Sequence, residues 1–235
     1  MNVLAVGCHP DDIEIGCAGT LARYAQEGHR VFCCHVANGN MGHAVIEPGP
    51  LRGIRREEAK AAGALYGAEE VMTLDAGDLH VDSGDLGLRR AMVEVIRHAK
   101  PDVVLTHDPN DYMRDHVETS KLVFDASFCC TVPHYETESP THPVFPPLYY
   151  MDTLAGVNFL PEEYVDITAT VEVKLKALAC HASQIQWMLE HDKIDFLDFV
   201  RVCSRYRGQQ CNAGYAEGFR ACNVWPRRVA RRLLP

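Results

Sequence analysis

The residues best suited to chemistry lie in one short segment near the N-terminus. An apolar run from Val3 to Val6 leads into His9-Pro10-Asp11-Asp12, and small residues then begin a helix. An imidazole and two carboxylates just after a buried strand lie where open α/β sheets bind their ligands. His9 and one aspartate could coordinate a divalent metal ion while the other aspartate acts as a base. The spacing alone does not decide which aspartate has which role.

A second polar cluster follows a later apolar run, which begins at Asp102. In the usual doubly wound order the first and fourth strands are neighbours, so the two clusters would face each other across a crevice. So many carboxylates in one place repel one another and require a cation to offset them. Two imidazoles, one carboxylate and open positions for water are typical of a hydrolytic zinc site. The candidates in this second cluster are His107, Asp108, Asp111, Asp115 and His116.

Apolar runs alternate with helical patterns through the first half of the chain. The predicted strands are 3–6, 30–37, 70–74 and 102–107, and the predicted helices are 16–27, 51–65 and 86–99. The strands lack polar alternation, which is typical of parallel strands buried on both faces. Repeated strand–helix units predict an α/β fold, a Rossmann-like three-layer sandwich with a mostly parallel central sheet. In helix 51–65, the residues expected to face inward are Ile54, Ala61, Ala62 and Leu65.

The second half of the chain is less regular. After a helix from about 116 to 130, the proline-rich residues 132–147 are expected to form an irregular covering loop. Together with the loop after Asn38, this loop is expected to shape the pocket. The remaining predictions are a strand at 147–151, a strand or helix cap at 165–168, helices at 171–191 and 196–206, and a loop at 208–218.

Composition narrows the class of protein. The 235 residues contain no repeat or linker, so we expect one domain spanning residues 1–235. A net charge of −9 disfavours nucleic acid as the main partner, and no run approaches the roughly 20 apolar residues of a membrane span. No signal peptide is visible, and ten cysteines without a CxxC pair are typical of a reducing cytoplasm. The basic tail, 227–232, is expected to be a solvated helix end or a subunit contact rather than a docking site for an acidic partner.

Several motifs follow one another over roughly residues 2–190. They are His9-Pro-Asp-Asp-Ile-Glu-Ile-Gly-Cys-Ala-Gly-Thr-Leu-Ala22, Arg55-x-x-Glu58-Ala59, Pro101-Asp-Val-Val-Leu-Thr-His-Asp-Pro-Asn-Asp-Tyr112 with Asp115-His116, Val165-Asp-Ile-Thr168 and His181-Ala-Ser-Gln184. Together they resemble the LmbE-like or PIG-L family of zinc-dependent N-acetylglucosaminyl de-N-acetylases. The resemblance implies hydrolysis of the N-acetyl group of an amino sugar, or of its conjugate, to acetate and a free amine.

The resemblance also implies a role for individual residues. His9, Asp12 and His116 would be the ligands of Zn²⁺, and Asp11 would be the general base. Asp115, just before the last ligand, would orient an active-site group from behind the ligands. Relatives of this family often form trimers or hexamers, so a homo-oligomer is expected as well.

Three residues are candidates for contacts with the substrate. Arg55 falls where the family keeps an arginine that holds the substrate, although a surface salt bridge with Glu58 explains it equally well on sequence alone. Asn110 and Arg114 belong to the second motif, and Arg114 carries a cationic fork next to a position that departs from the family.

That departure is Met113, where many members of the family have a histidine thought to stabilise the tetrahedral oxyanion or to assist the leaving amine. Losing one oxyanion donor costs on the order of 3 kcal/mol. Arg114, or a histidine elsewhere (His134, His142 or His181), could replace it. Otherwise the protein would be a metal-retaining sugar-binding or catalytically weak homologue.

A nucleotide-binding Rossmann protein is the alternative from another enzyme class. His-Pro-Asp-Asp replaces the Gly-x-Gly-x-x-Gly phosphate-binding turn and brings negative charge to the place where a pyrophosphate would lie. The first turn therefore disfavours a dinucleotide.

Overall fold

One seven-stranded sheet organises the chain, which is described over residues 1–235 by a computed structural model. The strand order is β3-β2-β1-β4-β5-β7-β6. The first five strands are parallel, and β7 is antiparallel to both of its neighbours. The predicted adjacency of the first and fourth strands is confirmed. The strands are β1 (Asn2–Gly7), β2 (Arg30–Ala37), β3 (Ala68–Ala76), β4 (Val103–Thr106), β5 (Leu148–Met151), β6 (Glu163–Asp166) and β7 (Ala216–Ala221).

Helices cover both faces of the sheet, which confirms the three-layer α/β prediction. Side chains alternate across a strand, so Val3 and Ala5 of β1 belong to one buried cluster and Leu4 and Val6 to the other. The first cluster packs under α2, α3, α6 and α8, and the second under α4 and α5. The helices are α1 (Asp12–Gly16), α2 (Ala18–Gln26), α3 (Pro48–Leu65), α4 (Leu86–Ala99), α5 (Arg114–Cys129), α6 (Val171–Ala179), α7 (Ala182–Trp187) and α8 (Phe196–Gln210).

Two helices predicted as continuous are interrupted. The prediction for 16–27 is replaced by α1 and α2, which meet at Cys17 in a non-helical conformation. The prediction for 171–191 fails at His181, whose backbone leaves the helical region between α6 and α7. There the ring is fully buried, and its Nε2 lies 3.0 Å from Glu14 Oε2. A hydrogen bond to a distant buried carboxylate thus overrides local helix propensity.

The buried face of α3 also differs from its prediction. Ile54 and Leu65 are 40% and 49% exposed, and Ala61 is exposed, so only Ala62 faces inward as expected. Arg55 instead belongs to the buried face of the helix. The sequence left open whether Arg55 is a substrate contact or part of a surface salt bridge, because its buried partner, Asp11, is remote in the chain.

The strand β7 was not predicted, because its sequence, Ala216-Glu-Gly-Phe-Arg-Ala221, lacks β-branched residues and carries two charges. One of them, Glu217, is buried. Its carboxylate accepts hydrogen bonds from the amides of Gly19 and Thr20 at the start of α2, and its Oε1 lies 2.5 Å from Lys174 Nζ. The buried ion pair therefore ties β7 to α2 and α6.

The proline-rich segment 132–147 has no regular secondary structure, as predicted, but it does not cover the pocket. Arg97 of α4 holds it by donating hydrogen bonds to the carbonyls of Val132 and Tyr135. None of its residues lines the cavity described below, whereas Met41 and Gly42, from the loop after Asn38, do. The expectation that segment 132–147 shapes the pocket is therefore wrong.

The basic tail is not a helix end. Its first arginine, Arg227, is buried, stacks on the Phe124 ring at 4.2 Å and donates to the Ser127 hydroxyl. None of the helices combines the length and the apolar character needed to cross a bilayer.

Replacing Lys174 by methionine is expected to reduce the free energy of unfolding by about 3–5 kcal/mol, because it leaves the Glu217 carboxylate buried without its cation. Urea denaturation measures the change. The matched control is Lys176→Met on the exposed face of the same helix, which should change stability by less than about 0.5 kcal/mol. Equal effects of the two substitutions would contradict a structural role for the buried pair.

Candidate active site

A cavity of about 320 Å³ opens at the carboxyl ends of β1 and β4. This is the edge of the sheet on which the sequence predicts a site. Its wall combines both predicted clusters with residues from the second half of the chain. The lining includes His9, Asp11, Asp12, Met41, Arg55, Asp78, His107, Asp111, Met113, His116, Asp152, Gln184 and Met188.

The turn after β1 points its two aspartates in different directions. Asp11 precedes α1 with a φ of 115°, a backbone conformation that residues other than glycine rarely adopt. Such strain is typical of functional sites. Asp12 turns back toward the chain, and its Oδ2 accepts a hydrogen bond of 2.6 Å from the His9 amide. Adjacent carboxylates are thereby held in separate environments.

The Asp12 carboxylate lies among three imidazoles. Its Oδ2 is 3.4 Å from His9 Nδ1 and 3.2 Å from His107 Nε2, and its Oδ1 is 3.4 Å from His116 Nε2. Two of these rings come from the β4 side, where His107 stacks on His116 with ring centroids 3.9 Å apart. The two predicted clusters therefore meet at one buried carboxylate.

Two overlapping groups of side chains bring their ligand atoms within 4.8 Å of one another. One group is Cys8, His9 and Asp12, and the other is Asp12, His107 and His116. The predicted ligands His9, Asp12 and His116 thus divide between the two groups, which share Asp12. The rings of His9 and His116 are 5.4 Å apart at their centroids.

The hydrogen bonds of His116 and His107 show which of the two rings has a nitrogen available to bind a cation. His116 Nδ1 donates to Asp111 Oδ2 at 3.0 Å, while its Nε2 is buried, faces Asp12 and has no hydrogen-bond partner. An imidazole oriented by a carboxylate on its far side is typical of a metal ligand. His107 Nε2, by contrast, already accepts a hydrogen bond of 2.9 Å from the Cys8 amide. The donor set around Asp12 therefore fits a divalent cation, with His116 the more available of these two rings.

Burial and neighbouring charges give the titratable residues of the cavity different pKa values. Burial lowers the pKa of His116, but Asp12 and Asp111 outweigh burial and raise it to about 10. Burial, together with neighbouring His116, lowers the pKa of His107 to about 4. Burial raises the pKa of Asp11 to about 6 against the opposing effect of Arg55. His107 is thus a neutral acceptor, and Asp12 requires a positive partner at His116 Nε2, either a proton or a metal ion.

Arg55 reaches the site from the buried face of α3. Its Nη2 donates to Asp11 Oδ2 at 3.0 Å and to the Pro10 carbonyl, and its buried Nε has no partner. The approach requires Gly39, since a Cβ there would lie 2.6 Å from the Arg55 Cδ. The alternative of a surface salt bridge with Glu58 is wrong. Glu58 instead accepts hydrogen bonds from the amide and hydroxyl of Ser183.

Asp115 is buried behind His9. Its Oδ2 accepts a 2.7 Å hydrogen bond from the Leu79 amide and lies 3.4 Å from His9 Nε2. The carboxylate therefore connects a predicted ligand to the loop that follows β3. The contact with His9 is the kind of contact that the orienting role predicted for Asp115 requires.

The structure does not bring Asn110 and Arg114 to the cavity. Both are exposed, and neither lines it. Met113 does line it. None of the three histidines considered as replacements does so. His134 is exposed, His142 is buried against the end of α5, and His181 is bound to Glu14.

Sequence reasoning missed two groups of residues. Asp78 accepts hydrogen bonds from the amides of Gly39 and Met41, which shapes the wall of the cavity, yet its segment appears in the sequence only as a polar turn. Glu14 is buried between the Tyr66 hydroxyl, at 2.8 Å, and His181. The only signal for this second group was its membership in the two motifs that contain Glu14 and His181.

Comparison with known proteins extends these observations. The model of the PIG-L family, described as GlcNAc-PI de-N-acetylase, matches residues 4–127. Diacetylchitobiose deacetylase of Thermococcus kodakarensis is 29% identical over 93% of this chain and 82% of its own.

Two solved structures share the fold over nearly the whole chain. The N,N'-diacetylchitobiose deacetylase from Pyrococcus horikoshii has a TM-score of 0.81 at 25% identity, covering 94% of this chain and 83% of its own. A 4-carboxy-2-hydroxymuconate hydratase from Pseudomonas putida has a TM-score of 0.82 at 25% identity, covering 99% and 100%. The fold is thus shared by deacetylases and by a hydratase. Since the family model matches more than half of the chain and includes both clusters around Asp12, this protein belongs to the PIG-L family.

Proposed function

We propose that this protein is a zinc-dependent hydrolase that removes the N-acetyl group from an N-acetylglucosamine-type amino sugar or conjugate and releases acetate. One observation carries the proposal. Two consecutive aspartates lie in different environments of one cavity, with Asp12 among imidazoles and Asp11 against Arg55. Two neighbouring carboxyl groups whose surroundings give them different pKa values are typical of an active site. In such a site one carboxylate can bind a cation while the other transfers a proton.

His9, Asp12 and His116 are the residues that would hold Zn²⁺. Support comes from the buried, unpartnered Nε2 of His116, which faces Asp12, and from His9 Nδ1 on the other side of that carboxylate. When bound, Zn²⁺ supplies Lewis acidity, which lowers the pKa of water toward about 7 and polarises an amide carbonyl. Asp111 orients His116 and Asp115 orients His9, so both rings are held in place by carboxylates.

Asp11 would act as the general base. Its pKa of about 6, raised by burial, suits a group that accepts a proton near neutral pH. Arg55 holds this carboxylate in place and itself lines the cavity. Its position on the wall supports the predicted substrate contact of Arg55 better than those of Asn110 and Arg114, which do not line the cavity.

The size of the cavity favours a single sugar ring. Its volume of about 320 Å³ lies at the small end of the roughly 300–1,000 Å³ of ligand pockets. Gln184 and Asp78 add polar groups suited to sugar hydroxyls. A cytoplasmic location and a homo-oligomer, trimer or hexamer, remain predictions.

The hydratase relative supplies a second candidate function, addition of water to a carboxylated substrate. The wall disfavours it, because Arg55 is its only arginine and no lysine lines it. Arg55 is already paired with Asp11, so a substrate carboxylate would find no free arginine or lysine to bind. A neutral N-acetyl sugar needs no such partner.

The first test is acetate release from N-acetylglucosamine and its conjugates by zinc-loaded protein. Asp11→Asn is expected to keep its zinc and to lose about 10²–10⁴-fold in kcat, because the amide cannot accept the proton. Zinc content measured by atomic absorption and acetate measured by coupled assay give both quantities on one sample.

The control for this test is Asp125→Asn, a half-exposed aspartate on α5, which should retain full turnover. Full activity in Asp11→Asn would overturn the assignment of the base. Binding of N-acetyl sugars without acetate release would favour a sugar-binding module, and turnover of 4-carboxy-2-hydroxymuconate alone would favour the hydratase.

Asp111→Asn is expected to weaken zinc binding about 10–100-fold, since asparagine cannot provide the carboxylate that orients His116. Competition with a chromophoric chelator measures the affinity without reference to turnover. Asp125→Asn again serves as the matched control on the same side of the sheet. An unchanged affinity in Asp111→Asn would show that His116 does not depend on Asp111 or is not a ligand.

Met113→His is expected to raise kcat, by up to about a hundredfold, because it places an oxyanion donor on the cavity wall where the thioether has none. Steady-state kinetics on the best substrate of the acetate screen tests this. A fall in kcat with unchanged zinc content would mean that the methionine has a role of its own in binding the substrate.

A further inference from the structure

A second cavity, of about 180 Å³, adjoins the first. It lies between the 152–156 segment, α8 and β7, and it has no role in the function proposed above. Four residues line both cavities, namely Ile15, Gly16, Asp152 and Leu154. The two cavities are therefore neighbours that share part of a wall.

The charged side chains of this second cavity are already paired with one another. Lys174 binds Glu217 at 2.5 Å, and Arg207 donates to both oxygens of Asp152, at 2.6 and 3.1 Å. None of the lining side chains has a buried polar atom without a partner. A charged ligand would find little to bind, because the four charged side chains of the wall are already paired.

The remaining wall is apolar and aromatic. It is provided mainly by the turn after β5 and by α8, whose Val200 is buried and whose Val202 and Tyr206 are more than half exposed at the rim. The apolar residues include Leu154, Ala155, Phe199, Val200, Val202 and Tyr206. A cavity of about 150 Å³ lined by apolar side chains accepts a benzene molecule. The volume here therefore matches a group of about the size of a phenyl ring.

The second cavity begins close to the candidate metal ligands. Gly16, which lines both cavities, ends the helix that Asp12 begins, so it lies about 6 Å from Asp12 along α1. That is roughly the width of one sugar ring. We propose that the second cavity binds an apolar group of about phenyl size that is carried by the amino-sugar substrate. This inference rests on the proposed function, and it names the chemistry of the substrate beyond its N-acetyl group.

Paired substrates test the proposal directly. The methyl and phenyl β-glycosides of N-acetylglucosamine differ only in the apolar group, and burial of the ring is expected to raise kcat/KM about tenfold or more for the phenyl glycoside. The methyl β-glycoside of N-phenylacetylglucosamine tests whether the group arrives on the acyl side instead. A gain on either substrate supports the cavity and identifies the source of the group, and no gain on both overturns it.

A variant that fills the cavity isolates its contribution. Cys203→Phe places a ring on the lining face of α8 and is expected to abolish the phenyl preference while the methyl glycoside is hydrolysed as before. The matched control, Arg205→Phe, adds the same ring on the exposed face and should keep the preference. Val202→Phe at the rim is the second filling variant if Cys203→Phe does not fold. A preference that survives in a folded filling variant overturns the proposal.

Calorimetry separates this inference from the proposed function. If neither N-acetyl glycoside is hydrolysed, the proposed function fails, but titration of the same zinc-loaded protein with the two glycosides still tests the cavity. Binding of the phenyl glycoside at least tenfold tighter, lost in Cys203→Phe, supports it, whereas equal binding overturns it. A further outcome is a filling variant that changes the sedimentation coefficient but leaves the binding of both glycosides unchanged. That result would also overturn the proposal, and it would show that the cavity binds a second copy of the chain.

Discussion

The candidate site depends on the pairing of the buried Asp12 carboxylate with the imidazoles around it. A buried charge is stable only when it is paired and hydrogen-bonded. The backbone amide and ring of His9 come from its own turn, whereas His107 and His116 come from the loop and helix after β4. Asp12 can be satisfied only because β1 and β4 are adjacent parallel strands. The order of the strands in the sheet thus determines whether the candidate site can form.

A consequence of this constraint is the separation of two consecutive aspartates. Asp12 is held among imidazoles, and its pKa stays well below the ordinary range because burial is outweighed by His116 and His107. Asp11 is turned the other way by its positive φ, and burial raises its pKa while Arg55 opposes the rise. The strained backbone at Asp11 therefore has a consequence for the chemistry of the site. An ordinary turn would not direct the two carboxylates into different surroundings.

The sequence predicted the parts of the fold that local patterns specify. Unbroken apolar runs identified β1, β2 and β4, and the polar residues after them located the edge that carries the site. The failures involve buried charges whose partners are remote in the chain. Arg55 on α3, His181 between α6 and α7, and Glu217 in β7 each look exposed or loop-like in sequence. No local pattern reveals a partner more than 40 residues away, so these positions required the structure.

The candidate catalytic residues and the second cavity come from different parts of the chain. The candidate ligands and base all lie within residues 4–127, the region that matches the family model. The second cavity is built largely from residues 152–218, beyond that region, where the sheet turns antiparallel and two buried ion pairs hold its walls. Because the charged side chains of the wall are paired with one another, the part of the wall that remains for a ligand is mainly apolar. The antiparallel part of the sheet can therefore vary in the substituent that it accepts while the arrangement around Asp12 stays unchanged.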